Sequence, residues 1–286
     1  MSRQSFAPGE AVDLEDSRVR FRARGRVFLV GAGPGDPELL TMRAHRLLSN
    51  AQIVAYDELV SPAILALAPL GAELVPVGRR SGTCPEAPAI HPTVLERAIE
   101  GCDVVRLKGG DPMIFGRGGE EAEQLAALGI PFEIVPGVSA ALGAAASAGI
   151  PLTHRDASSS VSFVTAHKRH DDQEDDLASR VPRLGTIVLY MGLSTLRASA
   201  RDLIAGGRAP TTPVAVVSHA TLPTQRQVIA TLATIADAVE AAAVEAPALV
   251  IVGEVVDRRV VPAAARMEPG DQATRPGKPR GLSREG

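Results

Sequence analysis

The sequence has no tryptophan, and aromatic residues make up only 3 % of it. Base-stacking platforms for nucleic acid are therefore not expected. It has two cysteines, Cys84 and Cys102. They form no CxxC pair, and the six histidines show no metal-ligand spacing, so neither a disulfide nor a metal is assigned. Cys102, just before a strand, reads as a small core filler. Basic excess is also missing: the net charge is −3 and there is no long basic run, which argues against a general nucleic-acid binder. No apolar run approaches the ~20 residues needed to cross a bilayer. The first 24 residues are polar and mixed in charge and lack the apolar stretch of a secretory signal, so a cytoplasmic location is expected.

What remains is ordinary globular composition, 45 % hydrophobic and 22 % charged over 286 residues, enough for one large or two medium domains. Residues 1–24 and 263–286 read as a disordered arm and tail. Between them, short β-branched runs alternate with amphipathic stretches. Strands are expected at Arg26–Val30, Gln52–Tyr56, Glu73–Val77, Asp103–Leu107 and Pro131–Val135. Helices are expected near Glu38–Ser49, Pro62–Ala68, Pro92–Glu100 and Glu120–Leu128. This order implies a mostly parallel sheet covered on both faces. An Ala/Gly-rich helix then begins at Ser139 and leads into a second half. That half has strands near 161–165, 186–190, 213–218, 226–230 and 248–253. The expected domains are 25–137 and 138–262.

Strand after strand ends in a small or acidic residue: Gly31, Asp57, Gly78, Gly109, Gly137 and Gly253. In parallel α/β sheets, ligands bind beyond the carboxyl ends of the strands, so these residues are expected to line one crevice. The richest stretch is Val104–Glu121, VVRLKGGDPMIFGRGGEE. Its five Gly, three basic groups and Asp exceed what a connector needs, because glycine admits close backbone approach. GAGPGDP at 31–37 is a poor dinucleotide fingerprint. Its glycines miss the G-x-G-x-x-G spacing, and Pro34 offers no N–H to a pyrophosphate.

VGAGPGDPELLT, VVRLKGGDPMIFGRGGEE, VPGVSAALGAAASAGIPLTHR, LYMG and ATLPTQR, in this order, resemble the uroporphyrinogen-III C-methyltransferases of the tetrapyrrole methylase superfamily. The likeness covers about Arg26–Val256. It implies the class III methyltransferase fold: two α/β domains, with a mostly parallel N-terminal sheet and a mixed C-terminal sheet. It also implies S-adenosyl-L-methionine in the cleft between the domains, no metal, and a homodimer. The implied reaction is methylation of uroporphyrinogen III at C2 and C7, giving the precorrin-2 of sirohaem, cobalamin and haem d1 biosynthesis. Two alternatives stay open: a methylase of a later precorrin, and a homologue that binds tetrapyrrole or cofactor without turnover.

Matched residue by residue, the resemblance assigns the cofactor to Pro34, Gly109, Gly110, Asp111, Ile114, Ser139, Ala140, Met191, Ala220 and Gly253. Asp57 matches the proposed proton acceptor; the alternative for an Asp at a strand–loop junction is a helix cap or structural carboxylate. Arg79 stands where the family has a catalytic lysine. Arginine is effectively never deprotonated, so its expected part is binding rather than proton donation. The following His and Gln segment is replaced by SGTCPEAPAIHP. The substrate carries eight carboxylates, and Arg80, Arg106, Lys108, Arg117 and Arg155 fall at strand ends or motif loops where they are expected to meet them.

Overall fold

The computed structural model describes residues 24–78, 89–166 and 177–260. The expected arm before Arg24, the expected tail, Arg79, Arg80 and Cys84 lie outside the described residues. The elements run β1 (Val27–Gly31), α1 (Met42–Leu48), β2 (Ile53–Tyr56), α2 (Pro62–Leu65), β3 (Glu73–Pro76), α3 (Pro92–Ile99), β4 (Val104–Lys108), α4 (Gly118–Ala127), β5 (Phe132–Val135), α5 (Ala140–Ala148), β6 (Val161–Thr165), β7 (Thr186–Tyr190), α6 (Leu196–Ala205), β8 (Pro213–Ser218), β9 (Arg226–Thr231), α7 (Ile235–Ala241) and β10 (Ala248–Val252). They form two α/β halves. Among the described residues no helix is long and apolar enough to cross a membrane.

The first sheet has strand order β3-β2-β4-β1-β5, and every pairing in it is parallel. The central strands β1 and β4 read as near-continuous apolar runs because both their faces are covered. Successive side chains point to opposite faces. Val27, Leu29 and Val104 join Val94, Ala98 and Leu125 of α3 and α4 on one side. Val30, Val105 and Leu107 join Ala44, Leu48 and Ile64 of α1 and α2 on the other. Two expected helices are shorter than their patterns. Asp36 caps a 3-10 turn at Pro37–Leu39, Leu40 is extended, and Thr41 starts α1 anew by accepting from the Ala44 amide at 3.2 Å. After α2 the chain continues in single turns to Ala68, because Pro69 disfavours helix in the residue before it.

The second sheet has order β6-β7-β10-β8-β9. β6 and β7 are parallel, β10 runs antiparallel to both β7 and β8, and β9 is antiparallel to β8. One face is covered by α6 and α7. The other packs against Ala141, Ala144 and Ala148 of α5, so this helix already belongs to the second sheet's core. Its small residues also let the first half come close. A Cβ built on Gly143 would lie 2.5 Å from the Cβ of Pro34.

Backbone also approaches backbone closely at the carboxyl ends of β1, β4 and β5. A Cβ on Gly137 would stand 2.2 Å from the Gly110 carbonyl oxygen, and one on Gly31 would stand 2.5 Å from the Gly137 nitrogen. Backbone cannot yield as a flexible side chain can. Gly137→Ala is therefore expected to destabilise the fold by about 1–3 kcal/mol, the range of an overpacked core. Denaturant titration checks this; an unchanged midpoint would mean that the three strand ends have room to spare.

Candidate active site

Parallel pairing places the ends of β1, β2, β4 and β5 on one edge of the first sheet, and there the chain makes its own scaffold. Gly33 and Gly110 pair as an isolated bridge. The Gly110 amide donates to the Gly33 carbonyl at 2.8 Å, and the Gly33 amide donates to the Gly110 carbonyl at 3.1 Å. Asp111 ties the next turn to its neighbour: one carboxylate oxygen accepts from the Met113 amide at 2.8 Å and the other from the Gly137 amide at 3.0 Å. Each oxygen keeps a further lone pair. Asp111 thus serves as a structural anchor, whatever else it binds.

In the second sheet β6, β7 and β8 run the same way, so Met191 and His219–Thr221 follow strand ends on a shared edge. This edge faces the first half. The Asp36 amide donates to Thr221 Oγ1 at 3.1 Å, and a Cβ on Gly35 would touch Leu222 at 2.9 Å. The Phe115 and Tyr190 rings lie 4.7 Å apart. Tyr190 reaches back to the start of α5, with its hydroxyl 2.5 Å from Ser139 Oγ and accepting from the Ala141 amide at 3.2 Å. Five non-glycine residues on these loops hold positive φ: Phe115 (52°), Arg117 (58°), Met191 (55°), His219 (49°) and Thr221 (69°). Such backbone is uncommon for side-chain-bearing residues and gathers at functional sites. The loops are thus held in shapes that local preference alone does not choose.

Below the mouth lies a cluster of four charges. Arg106 and Lys108 stand two residues apart on β4 and share the face covered by α3 and α4. Arg106 Nη2 is 2.5 Å from Asp57 Oδ1 and 3.1 Å from Glu121 Oε1. Lys108 Nζ is 2.7 Å from Glu121 Oε1 and 3.9 Å from Asp57 Oδ2. Side-chain exposure is 6 % for Arg106, 2 % for Lys108 and 4 % for Glu121, against 26 % for Asp57. Burial pushes the Lys108 ammonium below its ordinary range, with help from neighbouring Arg106; Glu121 and Asp57 oppose the shift.

The expected site residues therefore divide. Pro34, Gly109, Gly110, Asp111, Ile114, Met191 and Ala220 stand on strand-end loops at this junction, and Ser139 and Ala140 open α5 beside them. Asp57 follows β2, with its carboxylate turned to Arg106. Arg117 is exposed and 3.4 Å from Glu120, and Arg155 is exposed. Two expectations are corrected. Arg106 and Lys108 do not stand free for substrate, since both are buried and their charges are taken up by Asp57 and Glu121. Gly253 lies at the opposite edge. β10 runs against β7 and β8, so its end meets their beginnings: the Gly253 amide donates to the Pro213 carbonyl at 2.9 Å, and a Cβ on Gly253 would meet Thr186.

Glu121, Gly143, Tyr190 and Thr221 are the residues that sequence reasoning did not single out. Glu121 had a usable signal. Two cations at i and i+2 on a strand with both faces covered require an anion from the covering helix, and GRGGEE opens that helix.

Desolvation raises the Tyr190 phenol above its ordinary value, and the hydrogen bonds from Ser139 and Ala141 only partly offset this. A folded-state value above the unfolded one means that the native phenol keeps its proton longer. The resulting stability is full below about pH 10 and falls as pH rises through the folded value. Ultraviolet titration of Tyr56→Phe, with Tyr190 as the one remaining tyrosine, should show ionisation above the range of free phenol. A midpoint at the ordinary value would contradict the burial described.

Residues 26–236 match the family Tetrapyrrole (Corrin/Porphyrin) Methylases. The chain is 52 % identical over 240 residues to a siroheme synthase of Azotobacter vinelandii, a match covering 83 % of this chain and 52 % of that protein. It is 47 % identical over 235 residues to an S-adenosyl-L-methionine-dependent uroporphyrinogen III methyltransferase of Methanosarcina barkeri, covering 81 % of this chain and 92 % of that one. Its fold resembles the uroporphyrin-III C-methyl transferase of Thermus thermophilus complexed with S-adenyl homocysteine. There the TM-score is 0.70 at 44 % identity, covering 82 % of this chain and 100 % of that one. The chain spans about half the length of the siroheme synthases it matches. With the family match running from β1 into α7, across both sheets and every loop of the junction, the chain belongs to the tetrapyrrole methylase family.

Proposed function

We propose that the chain is an S-adenosylmethionine-dependent methyltransferase that acts on uroporphyrinogen III at C2 and C7 and yields precorrin-2. The observation that carries this reading is the convergence of strained loops from both halves on the Gly31–Gly110–Gly137 contact, in a chain alike over both sheets to methyltransferases of that substrate. When bound, S-adenosylmethionine supplies a methyl group already activated by its sulfonium. The residues present suit such a donor. Glycine backbone at the strand ends carries no side chain to obstruct it. Asp111 and Asp57 bring negative charge near a cationic ligand, and Pro34, Ile114, Ala140, Met191 and Ala220 offer apolar surface that is not fully buried.

The chain then has two tasks, alignment and proton handling. The reduced pyrrole carbon of the substrate is itself electron-rich, so no side-chain nucleophile is required. Asp57 is the partly exposed member of the charge cluster, and it takes the proton that the ring releases after methylation. Exposed Arg117 and Arg155 receive substrate carboxylates, together with Arg79 and Arg80. Arginine suits this work because its planar fork binds a carboxylate at two points. We place the enzyme in the cytoplasm as a homodimer, which light scattering would test.

Incubating the chain with uroporphyrinogen III and methyl donor should give a product heavier by two methyl groups, read by mass spectrometry. Methylation only of a later precorrin would move the assignment to a sister enzyme, and binding without transfer would make the chain a non-catalytic homologue. Asp57→Asn should lower turnover by about 10²-fold or more, the usual weight of a positioned acid or base, while the affinity for S-adenosylhomocysteine in calorimetry stays the same.

A further inference from the structure

We propose that Glu121 is a positioning residue for methyl transfer: with Arg106 and Lys108 it closes an alternating ring of charges that holds the Asp57 carboxylate in place at the crevice. This rests on the reading of Asp57 as proton acceptor. The ring is complete in order. Asp57 meets Arg106, Arg106 meets Glu121, Glu121 meets Lys108, and Lys108 faces Asp57. Each cation lies between two carboxylates, and each carboxylate lies between two cations. Three members are buried, and the fourth, Asp57, is the one that solvent reaches.

A sheet that needed only a core would carry apolar residues here, as it does at Val104 on the same face. Taking four charges out of water is costly and is often matched or bettered by apolar packing. Stability therefore gives no reason to keep the ring, whereas holding one carboxylate at a fixed point does. Glu121 is well placed for this. One oxygen, Oε1, receives both cations, and Oε2 has no hydrogen-bond partner among the described residues. Asp111 is taken up separately by the Met113 and Gly137 amides.

The placement of Glu121 is itself tied to the site. α4 begins at Gly118, where a Cβ would lie 2.4 Å from the Pro112 carbonyl oxygen. The Gly118 amide donates to that same carbonyl at 2.9 Å. The turn after Asp111 thus sets where the first turn of α4 falls, and with it the carboxylate that organises both cations. Without Glu121 the two cations have Asp57 as their one shared anion among the described residues, and its carboxylate is drawn down from the crevice.

The test is a double-mutant cycle between Glu121→Gln and Asp57→Asn in the full chain, with turnover and calorimetric affinity for S-adenosylhomocysteine both measured. Glu121→Gln should lower kcat by roughly 10- to 100-fold, the scale of misplacing a reacting group by about 1 Å. Cofactor-product affinity should be unchanged, Glu121→Asp should recover part of the rate, and Glu121→Gln should cost nothing further once Asp57 is Asn. Equal losses in both backgrounds, or a loss of affinity parallel to the loss of rate, would make Glu121 merely structural and overturn the proposal. If Glu121→Gln does not fold, the paired Lys108→Met/Glu121→Leu variant removes one charge of each sign and carries the same comparison. A wild-type rate in Asp57→Asn would instead remove Asp57 as acceptor, a pattern distinct from additive losses.

Discussion

The contact of three glycine backbones, Gly31, Gly110 and Gly137, is the constraint from which the rest of the molecule follows. It joins the ends of β1, β4 and β5 more tightly than any side chain would permit. Once those ends are together, Asp111 can bond at once to its own turn and to β5, and Gly33 can pair with Gly110. The loops that leave this point have little freedom in where they go. One carries Pro34 onto Gly143 of α5, another carries Phe115 onto Tyr190, and a third begins α5 at Ser139. The two halves are therefore connected at the functional edge by the loops that build it.

That arrangement explains where the backbone strain sits. Positive φ at five side-chain-bearing residues works against local preference, and an isolated loop would not adopt it. Here the burden is carried both across the junction, where Thr221 accepts from Asp36, and within the loop, where Gln225 Oε1 accepts from the Thr221 amide at 2.7 Å. In the proposed function, strain of this kind keeps the edge in one shape before a ligand arrives, so that less ordering is left to accompany binding.

The legible part of the chain was what local pattern encodes. Alternating apolar runs and amphipathic stretches located the strands, and the glycines at strand ends marked the edge where the loops converge. Strand direction was not legible in the second half. Nothing in ALVIVG says that β10 runs against its neighbours, so Gly253 was grouped with residues that lie at the other edge. The partners of Arg106 and Lys108 were hidden for a related reason. A basic residue at a strand end reads as exposed until the covering helix is known to bring an acid, and Glu121 is 13 residues beyond Lys108. The break between the Pro37–Leu39 turn and α1 was missed because the apolar spacing continues through it, while the cap that divides it is the single hydroxyl of Thr41.

Charge accounting then limits how a polyanionic macrocycle can be received. The cations nearest the glycine contact are already neutralised by Asp57 and Glu121, so they offer little net attraction beyond the ring. On the proposed reading, attraction comes from the exposed Arg117 and Arg155, whose charges are screened by salt within about 8 Å at physiological ionic strength. This separates two jobs that one sequence motif seemed to combine. In the proposed function, exposed arginines gather and orient the substrate, in an interaction that weakens as salt rises, while the buried cations hold a carboxylate against which salt has little leverage. In the proposed function Arg79 belongs to the first job, since arginine keeps its charge and its two-point grip on carboxylates throughout the working pH range.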